Sequence, residues 1–131
     1  MKKKILIIDD DLLILKTLNS LLSKAGYSSE VAQTANEAYQ KVKGATFDLI
    51  ISDIRMPGED GLSVIGRIKK EVFEKNKYEI PFIFITGYAN DDAPLEALQL
   101  GAKDYILKPF SLDELLACVK KHIDKEEGGR R

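Results

Sequence analysis

One cysteine, Cys118, stands in 131 residues, so no internal disulfide can staple this chain and its stability has to come from an apolar core. Charge of one sign is lacking too. Twenty Lys and Arg face 21 Asp and Glu, and a net charge of -1 offers no general attraction to nucleic acid or to an anionic membrane. No apolar stretch approaches the roughly 20 residues of a membrane span. The apolar run after Lys2, Lys3 and Lys4 is too short for the core of a signal peptide, and the expected address is the cytoplasm. Neither a Walker-type lysine loop nor a GxGxxG turn occurs, which removes two common nucleotide-binding schemes. What these absences leave is one domain of ordinary size whose function is local to a few residues.

Short aliphatic runs alternate with segments of helical period. Ile5 to Asp9 reads as a strand, followed by a helix over Leu12 to Lys24 with Ile14, Leu18, Leu21 and Leu22 on one face and Gly26 as its stop. A weaker strand over Ser29 to Ala32 leads into Thr34-Ala-Asn-Glu37, a capping box that opens a second helix ending near Gly44. Leu49 to Asp53 is a third strand, and Gly61 to about Val72 a third helix with Leu62, Ile65, Ile68 and Val72 inward. Phe82 to Thr86 is the fourth strand. Asp92 to Leu100 reads as a fourth helix, with Pro94 in its first turn and Gly101 beyond its end. Asp104 to Leu107 is the fifth strand, and Ser111-Leu-Asp-Glu114 caps a last helix with Leu112, Leu115, Leu116, Val119 and Ile123 inward. Lys125 to Arg131 is polar and contains Gly-Gly, so the domain is expected over residues 1–124 and a tail or linker over 125–131.

Apolar strands separated by helices imply a parallel sheet covered on both faces, a doubly wound α/β fold. Such sheets bind ligands beyond the carboxyl ends of their strands. The polar residues gather at that rim: Asp9 and Asp10 after strand one, Asp53 ending strand three, Thr86 ending strand four, Lys108 after strand five. Three consecutive acids, Asp9 to Asp11, repel one another and call for a compensating cation. Oxygen ligands suit a hard divalent ion, magnesium first and manganese as its substitute. Asp11 is left to cap the first helix. Thr86 offers a hydroxyl and Lys108 a compact positive charge, so a tetrahedral anion attached at Asp53 would be held by metal, hydroxyl and ammonium, and the implied chemistry is phosphoryl transfer.

Four segments in this order, IIDDD, ISDIRMPGEDG, FIFITG and GAKDYILKPF, resemble the receiver domain of bacterial two-component response regulators over about residues 3 to 124. The resemblance implies a flavodoxin-like five-stranded sheet of order 2-1-3-4-5 with five helices. It implies that Asp53 accepts a phosphoryl group from a phosphohistidine on a sensor histidine kinase or phosphotransfer protein. Magnesium would be ligated by Asp10, Asp53 and the backbone carbonyl of Arg55, with Asp9 supporting it through water. The Lys108-Pro109 peptide would be cis. Thr86 and Tyr105 would form a switch that remodels the face made by helix four, strand five and the last helix, where an output domain or protein partner meets the receiver. A homodimer on phosphorylation is compatible with such a face. Arg55 and Tyr88, both bulky, would hinder the attacking water and prolong the phosphorylated state. Such a domain is no enzyme in the ordinary sense, since it catalyses only its own phosphorylation and dephosphorylation.

Rival readings explain less. A haloacid dehalogenase-like phosphohydrolase would use Asp9 and Asp11 as its DxD pair, but it needs a downstream acidic pair and leaves Asp53 without a role. A flavodoxin-type cofactor binder would need a hydroxyl- and amide-rich loop where three carboxylates stand. A phosphate-independent docking domain would have no use for the complete set of rim residues. Taken singly, each residue has a plainer part to play: an acidic run solvates a loop or caps a helix, a lone lysine sits in water, and a lone tyrosine packs. Cys118 and His122, near the last helix's apolar stripe, read as structural, with no partner at metal-ligand or nucleophile spacing.

Overall fold

The computed structural model describes residues 2–54, 61–76, 79–87, 99 and 101–129. Five strands form one sheet: β1 (Lys4–Ile8), β2 (Ser28–Ala32), β3 (Leu49–Asp53), β4 (Phe82–Thr86) and β5 (Asp104–Leu107). All neighbours are parallel and the order is β2-β1-β3-β4-β5. The described helices are α1 (Leu12–Lys24), α2 (Ala35–Gly44), α3 (Gly61–Asn76) and α4 (Leu112–Gly129). The helix expected over 92–100 lies outside the described residues apart from Gln99, so the label α4 belongs to the C-terminal helix. No helix among the described residues is long and apolar enough to cross a membrane.

Strand periodicity sorts the core into two layers. Ile5, Ile7, Leu49, Ile51, Ile83, Ile85 and Ile106 face α1 and α4, meeting Leu15, Leu18, Leu22, Leu115, Val119 and Ile123. The intervening residues Leu6, Ile8, Ile50, Phe82 and Phe84 face α2 and α3, meeting Ala38, Val42, Val64, Ile65, Ile68 and Val72. Each such aliphatic taken fully from water contributes about 1.5–3 kcal/mol, which is why central strands this apolar cannot sit at a sheet edge. The helix stripes are rotated slightly from the expected ones. Leu15, not Ile14, is the buried residue of the first turns of α1, and Ile14 and Leu21 flank it half-buried. Val64 joins the buried set of α3, while Leu62 only leans on it. Leu112 is exposed, because as the first residue of α4 it lies over α1, beside Lys16, Thr17, Ser20 and Lys24, and not over the sheet.

Local chemistry sets the helix ends. Asp11 Oδ1 accepts from the N–H groups of Leu13 and Ile14 at 2.9 and 3.4 Å. Thr34 Oγ1 and Ser111 Oγ do the same for Glu37 and Glu114 at 3.1 and 3.0 Å. Glu37 reaches back to the N–H of Gln33 at 2.6 Å, closing the expected box one residue early. Gly26, at φ +99°, ends α1 with the Tyr27 N–H bonded to Leu22 O at 3.0 Å.

One glycine bears directly on the carboxyl rim. Gly61 opens α3 with its N–H 2.6 Å from Ile54 O, and a Cβ there would collide with the backbone carbonyl of Asp53. The helix can approach the end of β3 this closely only without a side chain. Gly61→Ala is therefore expected to lower the unfolding free energy by about 1–3 kcal/mol through forced backbone displacement. Gly26→Ala, which meets no atom within 4 Å, should cost less, about 1 kcal/mol of conformational strain. Urea denaturation of the two variants checks the ranking, and an equal or reversed order would contradict it.

Candidate functional site

In a parallel sheet of this order the chain leaves β1 toward β2 and β3 toward β4, opening a crevice between their carboxyl ends. Asp9, immediately after β1, and Asp53, the last residue of β3, enter that crevice, and both are buried. Thr86, fully buried, ends β4 beside them. Lys108 follows β5, and its backbone N–H bonds to Thr86 O at 2.7 Å while its peptide to Pro109 is cis.

Its side chain makes the decisive contacts. Lys108 Nζ stands 3.2 Å from Asp53 Oδ2, in a hydrogen-bonded ion pair. It also stands 3.5 Å from Asp9 Oδ2, an attraction of charges too long for a good hydrogen bond. Asp9 Oδ1 accepts from the Asp11 N–H at 2.9 Å, whereas Asp9 Oδ2 is buried with no hydrogen-bond partner. Asp10 is exposed, yet its carboxylate, with those of Asp9 and Asp53, forms a group whose oxygens all lie within 4.8 Å of one another.

The electrostatics follow from these positions. Burial first, and the charges of Asp53 and Asp10 after it, push the Asp9 carboxyl up to about 6, against the Asp11 N–H and the Lys108 ammonium, which favour its charged form. Burial works to lower the Lys108 value, but the neighbouring Asp53 and Asp9 charges outweigh it and hold the ammonium above its ordinary value. Among the described residues, Asp9 and Asp53 share the Lys108 ammonium, Asp10 adds a third carboxylate, and Asp9 Oδ2 is buried without a hydrogen-bond donor. That donor set fits a hard divalent cation, which prefers carboxylate oxygens and would balance the surplus charge.

The fold thus brings Asp9, Asp10, Asp53, Thr86 and Lys108 to one rim. Asp11 turns to its helix cap, which takes it away from any DxD role. Tyr105 sits on β5 half-buried against the α2–α3 layer of the core. Arg55 and Tyr88 lie outside the described residues. Two features escaped the sequence reading. Gly61 buttresses the Asp53 carbonyl, for which the only sequence signal was a glycine at a helix start. Cys118 and His122 do have a partner, for Asp104 Oδ2 lies 3.6 Å from Cys118 Sγ and 3.1 Å from His122 Nε2. The i, i+4 spacing of Cys118 and His122 was legible; the approach of Asp104 from β5 was not.

Comparison with known proteins agrees with this fold. The family model described as response regulator receiver domain matches residues 5–120. The transcriptional regulatory protein PmrA of Pectobacterium parmentieri is 37% identical over 125 residues, 95% of this chain and 54% of that protein. The chain therefore spans about half the length of that curated relative. A CheY-like response regulator receiver domain protein from Methanospirillum hungatei JF-1 is similar in structure at TM-score 0.89 and 32% identity, covering 98% of this chain and 99% of the other. The response regulator protein TrrA of Thermotoga maritima, solved in complex with Mg(2+)-BeF, is similar at TM-score 0.75 and 36% identity, covering 91% and 97%.

Asp9 provides a pH test in metal-free solution. Its folded value of about 6 lies above the ordinary 3.8, so the folded state holds the proton more tightly and the group favours folding below about pH 4. That contribution is lost as pH rises through 6, where the charged carboxylate disfavours folding by an order of 3 kcal/mol at most. Asp9→Asn should therefore be more stable than the parent at pH 7.5, by about 1–3 kcal/mol, and equal to it near pH 4. Urea midpoints in chelator at both pH values check this, and a variant less stable at pH 7.5 would refute it.

Proposed function

The chain belongs to the response regulator receiver domain family, and from that premise we propose that Asp53 is its phosphoacceptor, charged by a phosphohistidine on a sensor histidine kinase or phosphotransfer protein. The observation that carries this reading is Lys108 held between the buried carboxylates of Asp53 and Asp9 at the carboxyl rim. An Asp53 oxygen attacks the phosphorus in line, forming a P–O bond as the P–N bond breaks, and the electron pair remains on the departing imidazole. The Lys108 ammonium offsets charge on the phosphoryl oxygens, and the Thr86 hydroxyl donates to one of them. Asp10, Asp53 and the Arg55 carbonyl would hold magnesium, with Asp9 supporting it through water; manganese would serve in its place. When bound, the cation neutralises the anionic oxygens gathered there.

An acyl phosphate brings nearly two negative charges and new acceptor oxygens to the rim. Thr86 moves toward them, Tyr105 turns inward to fill the space, and the face made by the 92–100 segment, β5 and α4 changes its surface. An output domain or protein partner, or a second copy of the domain, reads that face. The receiver occupies residues 1–124, and the expected tail or linker 125–131 begins inside α4, whose helix runs on to Gly129. Its work is in the cytoplasm, and its catalysis is confined to its own phosphorylation and dephosphorylation. Arg55 and Tyr88 shield the acyl phosphate from water and lengthen its life.

Intact-mass measurement after incubation with acetyl phosphate tests the assignment. The parent should gain one phosphoryl group in magnesium and little in chelator, whereas Asp53→Ala should keep its circular dichroism and remain unlabelled. Full labelling of the folded Asp53→Ala variant would overturn it.

A further inference from the structure

We propose that Asp104, Cys118 and His122 form a second metal site, where β5 meets α4, that takes a borderline transition-metal cation, zinc before others. Asp104 opens β5, and Cys118 and His122 stand one helical turn apart on α4. Both aim at a single carboxylate oxygen: Asp104 Oδ2 lies 3.1 Å from His122 Nε2 and 3.6 Å from Cys118 Sγ. One ligand atom from each of the three residues lies within 4.8 Å of the other two. Bonds of about 2.0 Å to oxygen, 2.0–2.1 Å to nitrogen and 2.3 Å to sulfur, set at tetrahedral angles, place such donors roughly 3.3–3.6 Å apart. The oxygen–nitrogen and oxygen–sulfur separations are already close to that, so small side-chain rotations would admit the ion.

The ligand chemistry separates this site from the acidic rim. Thiolate and imidazole select zinc and its neighbours over magnesium, while the rim offers oxygen alone. Without an ion the cluster is a hydrogen-bonded group in which the carboxylate accepts from the thiol and the ring. Burial, and then the Asp104 charge and hydrogen bond, push the Cys118 thiol up to about 12, so it is neutral and an arriving cation must displace its proton. The S–H bond breaks, the proton passes to water and the metal–sulfur bond forms. The proton on His122 Nε2 shifts to Nδ1, which frees the Nε2 lone pair. The His122 side chain is 11% exposed and that of Asp104 39%, so the fourth position opens to solvent on the carboxylate side, and water fills it. The ion would tie the first residue of β5, next to Tyr105, to the middle of α4.

The full chain, held in excess magnesium to fill the acidic rim, is titrated with cobalt(II) as a spectroscopic stand-in and then with zinc. One equivalent of cobalt should produce a thiolate-to-cobalt charge-transfer band and tetrahedral visible bands, which zinc then abolishes by displacement. Cys118→Ser should lack the charge-transfer band. His122→Gln, which keeps a donor toward Asp104, should bind cobalt at least about tenfold more weakly. Both variants should still be labelled by acetyl phosphate, showing that they are folded. Asp10→Asn should bind cobalt as the parent does. No thiolate band in the parent, undiminished affinity in His122→Gln, or loss of the band in Asp10→Asn would each overturn the proposal.

Discussion

A single ammonium between buried carboxylates organises the carboxyl rim of this sheet. Lys108 reaches Asp53 Oδ2 at 3.2 Å and Asp9 Oδ2 at 3.5 Å, so one positive charge bridges two buried acids. Breaking a buried pair by removing one partner typically costs about 3–5 kcal/mol, so the lysine is a condition of the fold at this rim. It does not complete the balance. Asp10 adds a third carboxylate and Asp9 Oδ2 still lacks a hydrogen bond. Electrostatics therefore favour either a proton on Asp9 or a further cation in the crevice, and the two compete for the same negative charge.

The sheet order makes this arrangement attainable. Asp53 and Lys108 are 55 residues apart, yet each lies at or just beyond the carboxyl end of its strand, and parallel pairing brings those ends to a common edge. The backbone between them is tied closely: Lys108 N–H bonds to Thr86 O, and Ile54 N–H to Ile85 O. Gly61 lets α3 begin directly against the Asp53 carbonyl, which fixes the strand end from the other side. The acids are held by ladders and by one close helix contact, so the rim has little freedom to relax by spreading its charges apart.

Much of this was legible because period and punctuation agreed. The runs ILII, LIIS and FIFIT are apolar on both faces, and only a doubly covered parallel sheet accommodates them. Thr34 and Ser111 each preceded a glutamate by three residues and did become caps. Stripe centres were less certain, since Ile14, Leu15, Leu18, Leu21 and Leu22 offer two overlapping faces, and only packing against the sheet chooses Leu15. Leu112 failed as an inward residue because a helix's first turn can overhang a neighbouring helix. The Asp104 cluster was illegible for another reason. Its members come from a strand start and from mid-helix, and no spacing rule for one element reports a meeting of two.

β5 links the two polar clusters. Its four residues carry Asp104 at one end, and Lys108 follows the other, a span of about 13 Å at strand rise. Hydrogen bonds to β4 fix its register, so the strand cannot slide to pass a change from one end to the other. What can respond is the side chains along it, and Tyr105, half-buried and adjacent to Asp104, is the one with the size to matter. The proposed ion at Asp104 would restrict the backbone that carries Tyr105, whereas the proposed phosphoryl charge near Lys108 would act from the opposite end. On these proposals, a signal passing along β5 would travel through side-chain repacking around a short strand fixed in register.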